Sequence, residues 1–152
     1  SGLEVLNKLV DQAVFLGIDR DFSGPFAEIE NVQKYTVSGP HPAENVSIHI
    51  QELSPINMGD KVWIVAAEDV ANIGSFVQTG VQELKRTVAI AGNAVNQPKY
   101  FFTNVGVELS SMLSETGITG NQLRCINGDV LSGSTSHVKG FLGYYNNLVS
   151  VI

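Results

Sequence analysis

The alternation of extended and helical patterns across residues 32–80 constrains the fold of this chain more than any other feature. Residues 32–37 alternate weakly between apolar and polar side chains, which is typical of a short strand. The strand should end in residues 38–42 (SGPHP), because the two prolines cannot donate to a ladder. Pro42 suits the first turn of a helix, and apolar side chains then recur at helical spacing, at Val46, Ile50 and Leu53.

A second strand and a second helix complete this stretch. Residues 61–66 (KVWIVA) are apolar on both faces, as in a parallel strand that helices cover on both sides. Asp69 stands where the next helix needs an N-cap, and Gly80 stands where it would end. The inner face of this helix is predicted to contain Val70, Ile73 and Val77.

The chain opens with another amphipathic pattern. Polar residues fill one face, and the other face carries Leu6, Leu9, Val10, Ala13 and Val14. This spacing predicts a helix through residues 3–16, with Gly17 as its left-handed stop. Helices and strands therefore alternate in an α/β layer. We predict that residues 1–82 form the C-terminal half of a Rossmann-like α/β domain whose first half is missing.

The pattern changes near Arg86. Residues 87–92 and 99–103 are predicted strands, and a helix with Leu109, Met112 and Leu113 inward should end at Gly117. Strands at 122–126 and 129–131 are predicted around an Asn127-Gly128 hairpin turn, and a last strand at 148–152. Two strands, a helix and further strands describe an α+β fold. Residues 83–152 are therefore predicted to form a β-grasp domain, and residues 86–117 resemble the soluble-ligand-binding type.

Composition excludes several classes of function. The net charge is −6 and the nine Lys and Arg residues are scattered, which argues against nucleic-acid and anionic-lipid binding. The longest strongly apolar run, residues 62–67, is far shorter than the roughly 20 residues that a spanning helix needs. The single cysteine, Cys125, lies in a predicted strand and is interpreted as a small buried hydrophobe. The chain begins Ser1-Gly2 and ends in an apolar stretch, so we expect a segment of a longer protein.

Residue patterns that would carry chemistry are weak. No Gly-x-Gly-x-x-Gly follows a strand, and Pro40 after Gly39 removes an amide that a phosphate would need. His41 and His49 could form a metal pair, but structural roles are favoured because metal sites usually need three or four ligands. The third histidine, His137, lies in a glycine-rich loop. Metal and nucleotide sites are therefore not predicted.

The carboxylates of residues 60, 68 and 69 could act as acids or bases if they converged in a cleft. We favour structural roles instead, a turn for Asp60 and a helix cap for Asp69. No catalytic residue is predicted.

Aromatic residues offer the one candidate surface. Alternation along the second strand of the later domain puts Tyr100 and Phe102 on one face and Phe101 on the other. Aromatic side chains are enriched at protein interfaces, so Tyr100, Phe101 and Phe102 are the candidate interface residues. Trp63 could line a ligand groove with them, but we expect it in the core.

Several short elements are specific when their order and spacing are taken together. They are residues 38–43 (SGPHPA), 48–49 (IH), 62–63 (VW), 69–74 (DVANIG), 79–80 (TG), 86–92 (RTVAIAG), 130–133 (VLSG) and 142–151 (LGYYNNLVSV). Over nearly the whole chain they resemble the A subunit of the sodium-translocating NADH:quinone reductase. The first helix is the least distinctive part.

The resemblance implies a peripheral subunit on the cytoplasmic face of the bacterial inner membrane. Its complex would oxidise NADH, reduce ubiquinone and export sodium. Flavins, the iron–sulfur centre and the NADH site are expected on other subunits, so no cofactor is expected in this chain, although it could contribute to ubiquinone binding. The expected partners are the other subunits, chiefly the membrane-embedded B subunit, and the expected role is structural docking. The family's lipoyl-like domain, the first half of its α/β domain and its C-terminal tail would lie outside this chain.

Other functions remain open. Residues 132–135 (SGST) are similar to the Ser-Gly-Ala-Thr motif that carries flavin covalently in other subunits of that complex, but a flexible loop is favoured because Ser replaces Ala. The later domain could instead be a stand-alone module that binds a small molecule. The chain could also be a degenerate flavoprotein domain of the complex I type.

Overall fold

The structure is a computed structural model that describes residues 1–24, 28–40 and 42–152. These residues divide into two compact units, Ser1–Glu83 and Leu84–Ile152. The described part of the first unit holds three helices and a two-stranded sheet, and the second unit holds one helix and a five-stranded sheet. The fold class is therefore mixed α/β with two sheets.

The first unit pairs two short strands in parallel and packs its first helix on its third. Its elements in chain order are α1 (Gly2–Leu9), β1 (Phe15–Asp19), β2 (Gln33–Val37), α2 (Val46–Leu53) and α3 (Ala67–Thr79). Ser1 caps α1 in a capping box with Glu4. The two helices approach closely at Gly2 and Gly74, since a Cβ on Gly74 would lie 2.6 Å from the backbone nitrogen of Gly2.

The predicted first helix is too long. It ends at Leu9, and Gly17 lies inside β1 rather than at a helix stop. Apolar and β-branched residues from position 14 onward favour a strand, and pairing with β2 supplies its backbone hydrogen bonds. A Cβ on Gly17 would lie 2.6 Å from the hydroxyl oxygen of Tyr35, its partner on β2. The absence of a side chain at Gly17 therefore lets the Tyr35 side chain lie against β1.

The second predicted helix starts later than expected. α2 begins at Val46, and Pro42 lies in the turn before it. The side chain of Asn45 accepts hydrogen bonds from the backbone nitrogen of Ser47 at 3.1 Å and from its hydroxyl at 2.8 Å. The helix thus begins where an N-cap side chain is available.

The prediction of a buried strand at residues 61–66 is wrong. These residues pair with no strand among those that the structure describes, and Val62, Trp63 and Ile64 are exposed. Trp63, expected in the core, is 84% exposed. A parallel strand is stable only between neighbouring strands and under helices on both faces, and the described residues supply neither here.

The next helix, α3, is confirmed in place but not in its cap. Its N-cap is Ala66, which makes no side-chain cap bond, and Asp69 lies within the first turn. There its charge complements the helix dipole. Gly80 closes the helix with φ 71°, as predicted, but Val77 is exposed and Gly74 is the buried residue.

The second unit is a mixed sheet covered on one face by a helix. Its strands lie in the order β4-β3-β7-β5-β6, with β3 and β7 parallel and the other pairs antiparallel. The elements in chain order are β3 (Lys85–Ala91), β4 (Lys99–Asn104), α4 (Leu109–Thr116), β5 (Cys125–Asn127), β6 (Ser134–Ser136) and β7 (Leu148–Val151).

The core of this unit lies between α4 and the sheet. Its buried residues include Val88 and Ile90 of β3, Val149 and Val151 of β7, Cys125 of β5, and three from α4: Leu109, Met112 and Leu113. The inward face predicted for α4 and its end before Gly117 are both confirmed. Burial of Cys125 in a strand is confirmed as well.

The prediction of a two-residue hairpin turn at Asn127-Gly128 is wrong. Asn127 ends β5, residues 129–131 form no strand, and β5 pairs with β6 across a loop of residues 128–133. The carboxylate of Asp129 accepts hydrogen bonds from the backbone amides of Leu131 at 2.7 Å and Ser132 at 2.9 Å. This side-chain turn replaces a two-residue hairpin turn.

Candidate functional site

The outer surface of β4 is the candidate functional site. Strand alternation turns Tyr100 and Phe102 away from the core, where they are 77% and 70% exposed. Phe101 points inward and packs against the core cluster. The alternation predicted from the sequence is thus confirmed. Two large aromatic side chains stand side by side on one strand, an arrangement suited to contact with another surface.

Cationic side chains lie beside these aromatic rings. The Nζ atom of Lys85, on the neighbouring strand, lies 5.5 Å from the centre of the Phe102 ring. The Nζ atom of Lys99 lies 4.9 Å from the centre of the Phe101 ring and 3.1 Å from a carboxylate oxygen of Glu115. The charge of Lys99 is thus paired with that of Glu115, and Lys85 is the cation beside an exposed ring.

A buried arginine follows Lys85, and the sequence analysis did not identify it. Arg86 is 4% exposed, and its guanidinium carbon lies 5.9 Å from the centre of the Tyr144 ring. Arg86 occupies the same inward register of β3 as Val88 and Ile90. Because side chains alternate between the two faces of a strand, the inward positions of Val88 and Ile90 predict that Arg86 is also buried.

His49 lies in a small depression of the first unit. One ring nitrogen, Nδ1, lies 3.0 Å from the hydroxyl oxygen of Tyr35, and the other, Nε2, lies 2.6 Å from the carbonyl oxygen of Ala43. A carbonyl only accepts, so Nε2 carries a proton and, in the neutral ring, Nδ1 accepts from Tyr35. Burial raises the pKa of the Tyr35 hydroxyl. Both ring nitrogens are therefore engaged in structure, as favoured above.

The hypothesis of a histidine metal site gains no support. His41 lies outside the described residues, and His137 belongs to the second unit. Among the described residues, no group of three or more His, Cys, Asp or Glu side chains could hold a metal ion.

The three acidic candidates occupy local structural positions. A carboxylate oxygen of Asp60 accepts a hydrogen bond from the backbone nitrogen of Asn57 at 2.8 Å, which makes it a turn residue. Glu68 and Asp69 both lie in the first turn of α3. None of the three lines the depression around His49.

An open cleft of about 330 Å³ lies beside the loop that joins β5 and β6. Asp129 in its wall has a pKa lowered to about 2, because the hydroxyl and backbone amide of Ser132 and the amide of Leu131 donate to its carboxylate. Residues 132–135 divide between this loop and β6, and all four residues are exposed. Ser132 therefore holds the loop.

Two buried polar groups adjoin this region. The side-chain nitrogen of Asn127 donates to the carbonyl oxygen of Phe141 at 3.1 Å. The thiol of Cys125 has a raised pKa because it is buried. Neither side chain reaches the aromatic surface of β4, since both belong to β5 at the other side of β7. Among the described residues, no helix is long and apolar enough to cross a membrane.

Each half of the chain matches a known protein family model. Residues 1–82 match the family model described as the NqrA second alpha/beta domain, and residues 87–138 match the one described as the NQRA C-terminal domain. The first model alone covers more than half of the chain.

Curated relatives share one description. The chain is 38% identical to the A subunit of the Na(+)-translocating NADH-quinone reductase of Rhodopirellula baltica, over 99% of this chain and 33% of that protein. It is 36% identical to the protein of that name in Glaesserella parasuis, over 99% of this chain and 34% of that protein. It is 33% identical to the protein of that name in Vibrio campbellii, over 100% of this chain and 34% of that protein. The chain spans about a third of the length of these relatives, and it belongs to the NqrA family, the A subunits of the Na(+)-translocating NADH-quinone reductase.

Proposed function

We propose that this chain docks its subunit on another subunit of the reductase through the outer surface of β4. The observation that carries the proposal is the pair of exposed aromatic side chains, Tyr100 and Phe102, on a strand whose other face packs on the core. Buried aromatic anchors dominate the binding energy of protein interfaces. Here two such anchors stand on a rigid sheet, which limits the conformational entropy lost on docking.

The partner is proposed to be the membrane-embedded B subunit. The full-length NqrA protein would then lie on the cytoplasmic face of the bacterial inner membrane, as a peripheral part of an enzyme that oxidises NADH and reduces ubiquinone while exporting sodium. Flavins, the iron–sulfur centre and the NADH site would belong to other subunits. The names of the relatives support a place in this complex.

The same proposal covers the two domains. Residues 1–82 would be the C-terminal half of a Rossmann-like domain. In its support, Leu3 is the one buried hydrophobic side chain among the described residues of the first unit, and the parallel sheet there has only two strands. Parallel sheets are normally buried on both faces. Residues 83–152 would be a β-grasp domain, supported by one helix packed on a mixed sheet.

A second candidate function is a contribution to ubiquinone binding. The observation in its favour is the ammonium group of Lys85 beside the ring of Phe102, since a quinone needs a hydrogen-bond donor and an apolar face. Titration of the full-length NqrA protein with a short-chain ubiquinone analogue would give saturable amide shifts near Lys85 and Phe102. Shifts scattered over the surface, or none, would argue against it.

Docking is tested by charge substitution in the full-length NqrA protein. We expect Tyr100→Glu and Phe102→Glu to reduce co-purification with the B subunit at least tenfold, because each change removes an aromatic anchor and places a carboxylate on the docking surface. Tyr145→Glu is the matched control, since Tyr145 is 82% exposed outside β4. Folded Tyr100→Glu and Phe102→Glu variants that retain normal co-purification would show the docking proposal to be wrong.

A further inference from the structure

The hydrogen-bond pattern of β4 fixes which of its backbone groups face the open edge of the sheet. Beyond the last register pair, Lys85 with Asn104, the backbone nitrogen of Val105 donates to the carbonyl oxygen of Leu84 at 2.9 Å. Directly opposed residues of an antiparallel pair alternate between bonded and non-bonded pairs. Phe101 and Thr103 are therefore bonded to β3.

The intervening residues of β4 point their backbone groups the other way. These are Tyr100, Phe102 and Asn104, which oppose Ala89, Thr87 and Lys85. The assignment agrees with β3, because the backbone nitrogen of Ala89 donates to the carbonyl oxygen of Asn147, on the opposite side from β4. β4 is the outermost strand of its sheet, and no described residue pairs with its free edge.

Apart from Lys99 at its first position, this edge lacks the features that normally prevent pairing with another chain. Natural edge strands carry proline, bulges or charged side chains. β4 has six residues, no proline, and a continuous register with β3. The three side chains at its outward positions, Tyr100, Phe102 and Asn104, are uncharged. The exposed aromatic rings thus stand directly beside three free backbone amides and two free carbonyls, while the carbonyl oxygen of Asn104 accepts from the backbone nitrogen of Val107 at 3.3 Å.

We propose that the docking partner adds a strand to the free edge of β4; this inference rests on the docking function proposed above. Backbone pairing would supply affinity, and the rings of Tyr100 and Phe102 would select apolar side chains at alternate positions of the added strand. Lys99, at one end of the β3–β4 ladder, is ion-paired with Glu115, so charge adds no requirement on the added strand. The occupant is therefore an extended segment of the B subunit in which apolar residues alternate.

Two substitutions at one position separate the backbone from the side chain. In the full-length NqrA protein, both Phe102→Ala and Phe102→Pro remove the ring, but only Phe102→Pro removes the outward amide. Proline is tolerated at an edge position whose N–H does not serve the ladder. We expect Phe102→Pro to reduce co-purification with the B subunit at least tenfold more than Phe102→Ala does.

Hydrogen exchange at single residues gives a second measurement that needs no variant. We expect the amides of Tyr100, Phe102 and Asn104 to be exposed to exchange in the free wild-type protein and protected in the assembled complex. The amides of Phe101 and Thr103 are the internal control, because they are bonded to β3 in both states.

Each outcome bears on one of the two proposals. Equal losses for the two variants, without new protection at the three amides, would overturn strand addition and leave docking by the aromatic face intact. Normal co-purification of both variants would overturn docking through β4 itself. If Phe102→Pro does not fold, protection of the three outward amides in the complex decides for strand addition, and its absence decides against it.

Discussion

Asp129 stabilises the loop between β5 and β6 through one ionised carboxylate. Its oxygens accept from the hydroxyl and backbone amide of Ser132 and from the amide of Leu131. Hydrogen bonds to the charged form of a carboxyl lower its pKa, here to about 2 from an ordinary 3.8. A lowered pKa means that the folded state binds the proton less tightly than the unfolded state. The carboxylate therefore stabilises the fold above pH 3.8, and this contribution is lost as the pH falls toward 2.

This loop gives the prediction at the residue scale. Because the hydroxyl of Ser132 is the largest cause of the lowered pKa, we expect Ser132→Ala to move the pKa of Asp129 back toward 3.8. The carboxyl carbon chemical shift of Asp129, followed from about pH 1.5 to about pH 6, measures the pKa in the wild type and in the variant.

Thermal unfolding of the wild type and of the Asp129→Asn variant tests how much the ionised carboxylate contributes to stability. Their difference should be constant above about pH 4.5, fall as the pH drops through about 2 and level off below it, and a difference that does not depend on pH would contradict the role given to the carboxylate.

At the scale of elements, Gly92 follows β3 at a position where the backbone of β7 leaves no room for a side chain. Its φ is 132°, a value that side-chain-bearing residues rarely adopt, and a Cβ there would overlap the carbonyl oxygen of Val151 in β7. Gly106 provides a matched control, because its φ is 71° and a Cβ would have no atom within 4 Å. Backbone strain acts at both positions, but steric overlap acts only at Gly92.

We therefore expect Gly106→Ala to lower the free energy of unfolding by about 1–2 kcal/mol, the cost of a left-handed residue with a Cβ. Gly92→Ala should cost more than about 3 kcal/mol, because strand β7 must also move. Urea unfolding of the two variants measures both values. Equal losses would mean that β7 shifts freely and that the close approach contributes nothing.

Elements with local signals were predictable from the sequence, and elements that need distant partners were not. α4 combines a complete apolar face with a glycine stop, and β4 is rich in aromatic residues that favour strands, so both were found. Residues 61–66 have the composition of a buried parallel strand but no described strand beside them. The carboxylate of Asp129 altered the predicted hairpin through bonds that a dipeptide signal does not contain. For the candidate site, alternation indicated Tyr100 and Phe102, whereas the edge position of β4 depends on pairing with distant segments.

At the scale of the whole molecule, the two units differ in how much apolar surface they bury. Of the thirteen buried hydrophobic residues among those described, twelve lie in the second unit and Leu3 alone in the first. Exposed side chains of the first unit include Trp63 and Val77. Burial of apolar surface is the main favourable term in folding, so most of the stability should lie within residues 84–152.

This difference predicts separate folding behaviour. Expressed alone, residues 84–152 should give a dispersed amide spectrum and one cooperative unfolding transition, because their core lies within the unit. Residues 1–83 alone should give poor dispersion and no cooperative transition, since a two-stranded sheet without a buried face cannot offset its conformational entropy. Amide exchange in the intact 152-residue chain provides the control that avoids truncation: protection should concentrate in β3, β7 and α4. A cooperative transition in isolated residues 1–83 would mean that this unit is complete by itself, and would contradict its assignment as half of a larger α/β domain.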